Sequence, residues 1–249
     1  MRVIATLTAA SLALGSALWI ASAKESVAVP TLAELQARAT ELARQTQRLR
    51  DEKDIENLQR IYGYYQDKKL WSEMLPLLAS NATLELGQNG VYVGRERIGH
   101  FFSQFGADGL KHGELYNHMQ LQPVIHVADD GLTAKGRWHG FNQAGEFGKR
   151  AVWGEGVYEN EYAKEDGIWK IQSIHYYNNF TTPYEKGWAK EVLPSSRPVL
   201  KGFEPDRPPT FVYQGFPKYF VAPFHYPNPV TGQPPRVGVS ANVAQGEAR

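Results

Sequence analysis

Seven histidines are the first residues to test for chemistry, and no two of them stand at HExxH or any other helical metal-ligand spacing. A metal site would have to be assembled from separate strands, and none is assigned. Cysteine is absent, which removes disulfides, thiolate-bound zinc and thiol nucleophiles. There is no GxSxG elbow, no P-loop, and no GxGxxG opening a helix after a strand. Acid–base chemistry is what remains. Asp67 closes an aromatic-faced helical stretch five residues after Tyr62, and His118 opens the first long strand pattern. A carboxylate beside an imidazole in an apolar cavity makes a proton-abstracting pair, because it holds the tautomer and stabilises the imidazolium. Five residues turn about 140° around a helix, so Tyr62 and Asp67 share a pocket only if the helix unwinds or the cavity surrounds its end. Each also has an ordinary reading: Asp67 as a helix-end cap or solvated charge, His118 as a half-buried strand histidine.

The elements that must position these residues follow from periodicity. Residues 31–66 read as helix, with Leu35, Leu42 and Leu49 recurring every seven. That stripe either packs along the protein's own body or pairs with another subunit. Ile55, Leu58, Tyr62 and Tyr65 continue one face. SEMLPLLA reads as a second short helix ending at Ser80–Asn81, ATLELG as a strand, NGVYVG as a turn leading into another, and GRERIGHFFSQF as a third helix. From Asn117 onward two hairpins are expected, HMQLQPVIHV with LTAKGRWHGFNQ, and KRAVWGEGVYENEY with IWKIQSIHYYNNF. Helices followed by antiparallel strands make an α+β pattern. Gly154 and Gly156 inside a strand mark a bulge or a close approach.

Twelve of the 15 prolines lie from Pro183 onward, interleaved with aromatic residues. Proline at that density forbids regular central strands and long helices, while the aromatics argue against a free tail. An ordered irregular extension over 184–249, wrapped on the domain or on a neighbour, is expected, with the last dozen residues from Gly238 disordered. At the other end, Met1–Arg2, an apolar run and Ala21–Ser22–Ala23 read as an export signal cleaved before Lys24, with an uncleaved anchor as the alternative. The protein is then exported, to the periplasm of a bacterium. The 27 basic and 26 acidic residues reduce to equal numbers once Arg2 is removed. With no basic excess to neutralise phosphates, nucleic acid is excluded as a partner.

DIENLQRIYGYYQDKKLW, NHMQLQPVIHVADDGLTAKGRW and GVYENEYAKEDGIWKI together resemble the SnoaL-like branch of the NTF2-like superfamily. The resemblance is to bile acid 7α-dehydratases first, and to hexachlorocyclohexane dehydrochlorinase and scytalone dehydratase more distantly. It implies an α+β cone, a curved antiparallel sheet over helices with a deep pocket, spanning 50–183. A helical extension (24–49) precedes it. It also implies a catalytic set of Tyr62, Asp67 and His118. The substrate-reading shell departs from those families. The dehydratases' arginine falls on Asn178 and the dehydrochlorinase's near Ile174, while scytalone dehydratase's pocket Ser and Asn fall on Gly156 and Tyr158.

Strand alternation adds pocket candidates. If Tyr158 faces inward, so do Arg150, Val152, Gly154 and Gly156, and Trp153, Glu155 and Glu159 face away. The same parity brings Ile174, Tyr176 and Asn178 inward, and Trp138 but not His139. Arg150 would orient a phenol, carboxylate or oxyanion, or else is a surface or interface arginine. Trp138, Tyr158, Tyr176 and Asn178 are the other substrate-binding candidates, with core packing the alternative for Trp138 and Tyr176. The resulting expectation is a lyase acting on a bulky hydrophobic or aromatic small molecule by elimination or by retro-aldol-like loss of formaldehyde. Neither route requires a cofactor. An isomerase or cyclase, or a non-catalytic binding module, are the competing readings. A homo-oligomer, dimer or trimer, is the expected assembly. The export reading predicts that protein recovered from the producing cell's periplasm begins at Lys24 on amino-terminal sequencing. A start at Met1 would instead indicate a retained anchor.

Overall fold

The computed structural model describes residues 29–236. The expected export signal and the tail from Gly238 lie outside the described residues. Among those residues no helix is long and apolar enough to cross a membrane. The chain divides into a unit through Glu41 and a second from Leu42 onward.

Helix α1 runs from Leu32 to Asp67. It opens on a capping box: Thr31 Oγ1 accepts the Glu34 N–H at 3.3 Å, and the Glu34 carboxylate accepts the Thr31 N–H at 2.8 Å. Within the second unit its buried face is Ile55, Leu58, Gln59, Tyr62, Gly63 and Gln66, spaced by threes and fours as an amphipathic helix requires. Leu42 and Leu49 are exposed, so this part of the leucine stripe does not pack along its own unit. Short α2 (Trp71–Met74) and a 3₁₀ turn (Leu75–Leu77) follow. The expected helix through Ser80 therefore ends early, and Leu78 already begins β1 (Leu78–Leu86).

β2 (Val91–Val93), α3 (Arg95–Ser103), β3 (Glu114–Val127), β4 (Thr133–Glu146), β5 (Arg150–Glu165) and β6 (Ile168–Pro183) complete the fold. One six-stranded sheet results, ordered β2-β1-β6-β5-β4-β3. The expected antiparallel sheet is corrected to a mixed one, because β1 lies parallel to β6 while its other pairs are antiparallel. A parallel partner needs a long crossover rather than a hairpin, which α3 and the two later hairpins supply. β3 is an edge strand, and that matters for the site.

α1 is held to the sheet by a buried chain of polar groups. Trp138 Nε1–H donates to the Tyr162 hydroxyl at 2.9 Å, which donates to Gln59 Oε1 at 2.7 Å, and Gln59 in turn donates to Gln120. At the helix's other half, Asp51 accepts from Trp169 Nε1 at 2.9 Å and pairs with Lys164 at 2.8 Å.

The proline-rich segment, 184–236, carries no helix or strand and lies on the protein's own sheet. Tyr177 projects from the outer face and packs with Tyr213 and Phe220. The Tyr213 hydroxyl accepts the Asn178 N–H at 2.8 Å, and Glu85 accepts the Thr210 N–H and hydroxyl at 2.8 and 2.7 Å. His225 Nδ1 lies 2.8 Å from Glu159, which also takes Arg137. These outward partners match the expected strand parity of Glu159.

Gly156 answers both sequence readings of an in-strand glycine. The β5–β6 register shifts beside it, and a Cβ there would lie 2.3 Å from the Tyr177 carbonyl oxygen and 2.5 Å from Tyr176 Cζ. No rotamer relieves a clash with backbone, so Gly156→Ala is expected to destabilise the protein by about 1–3 kcal/mol. Urea unfolding monitored by circular dichroism measures this directly.

Candidate active site

The cavity, of about 660 Å³, opens between the end of α1, α3, the inner ends of β3–β6 and the proline-rich segment. Its walls are aromatic, with Phe101, Phe105, Tyr116, Tyr158 and Tyr176. The rings of Tyr158 and Tyr176 pack with centroids 4.6 Å apart, tilted by 43°. Gly140 permits this, because a Cβ there would meet both rings at 2.8 Å.

His118 lines the cavity, with its ring 4.3 Å from that of Tyr116. Burial of the ring, with the Arg197 charge second, pulls its pKa down to about 3. It is therefore a neutral imidazole across the ordinary pH range, and its Nδ1 is buried without a partner. Gln66 Oε1 and Asn142 Oδ1, on residues that line the same cavity, are likewise buried and unpartnered. Buried polar groups are ordinarily hydrogen-bonded, so such a cluster marks a surface built for a polar ligand group.

The Asp–His contact differs from the expected one. Asp67 Oδ1 accepts the His118 backbone N–H, not the imidazole. The cause is the edge position of β3: peptide N–H groups facing away from β4 have no strand to bond, and the last residue of α1 takes this one. Burial raises the Asp67 pKa, partly offset by that hydrogen bond. Asp67 thus positions the strand and does not orient the ring.

Tyr62 and Asp67 are both absent from the cavity lining. The helix stays regular to Asp67, so the residue that joins Tyr62's face at the cavity is Gln66, four positions on. Tyr62 is buried with its hydroxyl unpartnered, and burial raises its pKa strongly, with the nearby Tyr158 and Tyr116 adding to the shift. Tyr158 lines the cavity, and no hydrogen bond holds its hydroxyl among the described residues. Burial raises its pKa, so it stays protonated. Tyr176 and Asn178 also line the cavity, and the Tyr176 hydroxyl accepts from Asn142 Nδ2 at 2.7 Å. Arg150 lies at the exposed mouth. Trp138 points inward as expected but into the core: it is 0% exposed and spends its indole N–H on Tyr162, so its substrate-binding assignment is withdrawn.

Three contributors escaped the sequence reading. Gln66 could have been found from its helical spacing to Tyr62, and Asn142 from sharing Trp138's parity. Arg197 sits in the proline-rich segment, where no periodicity exists to reveal a direction. Among the described residues no group of three or more His, Cys, Asp or Glu is placed to hold a metal ion.

The six-stranded sheet over helices defines the class. Residues 47–175, just over half of the chain, match the family model of the SnoaL-like domain, and the chain belongs to that family within the NTF2-like fold. A solved scytalone dehydratase-like protein from Novosphingobium aromaticivorans is 20% identical, covering 56% of this chain and 91% of its own, with a TM-score of 0.50. A type 2 hexachlorocyclohexane dehydrochlorinase is 20% identical over 56% of this chain and 92% of its own, with a TM-score of 0.48. A type 3 dehydrochlorinase from Novosphingobium barchaimii is 19% identical over 60% and 99%, with a TM-score of 0.47. These likenesses concern the fold. No curated protein sequence matches the chain.

A histidine whose folded pKa lies below its unfolded value is protonated preferentially in the unfolded chain. The His118 contribution therefore favours unfolding increasingly as pH falls from 6.5 toward 3. Nitrogen-15 NMR should show no His118 titration near pH 6.5 and a neutral ring down to about pH 3. Titration near 6.5 would contradict the neutral imidazole.

Proposed function

We propose that this protein is an exported lyase that acts on a bulky, aromatic small molecule with its own side chains alone. The observation that carries the reading is the neutral, unpartnered imidazole of His118 in an aromatic cavity of about 660 Å³. His118 accepts a proton from the substrate. Asp67, through the His118 peptide, holds the strand that presents the ring.

Tyr158, protonated and facing the cavity, donates to the leaving oxygen. Tyr62 keeps the role of a supporting hydroxyl beside it. A neutral base with a low pKa is weak in the resting cavity. It acts here because substrate brings the oxygen-bound or activated proton into direct contact with it, and a buried hydrogen-bonded geometry replaces the missing solvent.

Two outcomes share this arrangement. In elimination, His118 takes a proton from carbon, the C=C bond forms, and the adjacent hydroxyl leaves as water with the proton from Tyr158. In the retro-aldol-like route, His118 takes the proton of a primary hydroxyl. The C–C bond then breaks as formaldehyde forms, and the released electron pair expels a neighbouring hydroxyl as water. A lignin-derived diaryl propanediol suits the second route, since both rings fit an aromatic-walled cavity.

The test is incubation of the mature protein with aryl-substituted propanediols, steroid alcohols and polyketide-like phenols, followed by mass spectrometry. Loss of water alone, or of water and formaldehyde, is the expected result. An unchanged mass with an altered spectrum would indicate an isomerase or cyclase. His118→Ala should lower turnover at least about a hundredfold, the scale of a lost general base. Tyr158→Phe should cost more than Tyr62→Phe. Parent-rate turnover by His118→Ala would overturn the assignment.

A further inference from the structure

The charged residues lining the cavity do not balance. Glu114 is paired with Lys69 at 3.0 Å, and Glu146 with Lys149 at 2.5 Å, so the lining carboxylates are neutralised. Two lining arginines, Arg150 and Arg197, have no ion-pair partner among the described residues. They come from different parts of the chain, the start of β5 and the proline-rich segment.

Arg197 is exposed, but its backbone is held in place. Its backbone N–H donates to Asn89 Oδ1 at 2.7 Å. Two residues earlier, Ser195 is gripped by Gln88, whose Nε2 donates to Ser195 Oγ at 2.6 Å. Gly87 lets that backbone approach, since a Cβ there would lie 2.5 Å from the Ser195 carbonyl oxygen. The β1–β2 turn thus clamps the segment so that Leu193 to Leu200 form a wall of the cavity. The Arg197 charge is felt at both His118 and Tyr116. The nearby Asp67 carboxylate lies outside the lining and is committed to the His118 peptide.

We infer that the substrate is an aromatic acid, whose carboxylate is bound at the cavity mouth by Arg197, with Arg150, while its rings lie between the tyrosines toward His118. This rests on the lyase reading for the site's use, and adds the substrate's charge. Guanidinium groups suit the task, because their donors match a carboxylate bidentately. Two unpaired positive charges at an aromatic cavity would also draw such an anion in and fix which end faces the base. Arg197 lies beyond the matched domain residues 47–175, so this reading group comes from the proline-rich segment.

The test separates charge from shape. 4-Biphenylacetate and its neutral isostere 4-biphenylacetamide are titrated into the full mature protein by isothermal calorimetry at low and high salt. The acid is expected to bind at least about tenfold tighter, with the advantage shrinking in salt, since charged hydrogen bonds exceed neutral ones by that order. Arg197→Gln should bring the acid down to the amide and leave the amide unchanged, and Arg197→Lys should restore part of the difference. Equal binding of acid and amide by the parent would overturn the inference. So would an equal loss for both ligands in Arg197→Gln, which would make Arg197 a packing residue. His118→Ala keeps the two readings apart: the acid preference should persist in it. If that variant also turned substrate over at the parent rate, the lyase reading alone would fall.

Discussion

One hydrogen bond, from the His118 peptide to the Asp67 carboxylate, joins the last residue of α1 to the free edge of the sheet. An edge strand carries outward peptide groups that must find partners, and here the helix end supplies one. Because α1 is also tied through Gln59 to Tyr162, Asn160 and Gln120, its rotation about its own axis is settled. That rotation sends Tyr62 into the core and Gln66 to the cavity. The cost falls on Asp67, which is desolvated, and on His118, whose Nδ1 is left bare. A cavity lined by a neutral imidazole whose Nδ1 has no partner is the direct result.

The sheet is used on both faces. Inner-facing Tyr158, Tyr176 and Asn178 line the cavity, while outer-facing Tyr177, Glu155 and Glu159 receive other partners. The proline-rich segment supplies partners to Tyr177 and Glu159, while Glu155 takes Asn179 and His139 of the sheet itself, and the segment also reaches the cavity mouth through Leu193–Leu200. Its stability and the shape of the site are therefore coupled. Tyr213, bonded to the Asn178 N–H, sits one peptide bond from a cavity-lining side chain.

Much of this was legible in the chain itself. The strands announced themselves by alternation and turn residues, apart from the start of β1, which reads as helix; α1 did so by its threes-and-fours spacing, and the inward Tyr158, Tyr176 and Asn178 by parity. Those features are local, because a period of 2 or 3.6 follows from backbone geometry whatever the chain packs against. The parallel β1–β6 pair was not local: pairing across some ninety residues leaves no mark on either strand, as Thr83 and Ser173 illustrate.

The site divides along the same line. Sequence alone singled out His118 as a candidate for proton chemistry, gave the side of the strand that Tyr158, Tyr176 and Asn178 occupy, and required a proline-dense aromatic segment to be irregular yet packed. Tertiary structure decided which atom Asp67 bonds, that Trp138 fills the core instead of the cavity, and that Arg197 stands at its mouth. Side-chain direction within one element is set by neighbouring residues. The partner each side chain meets is set by how elements dock, and a segment without periodicity has no direction until it is docked.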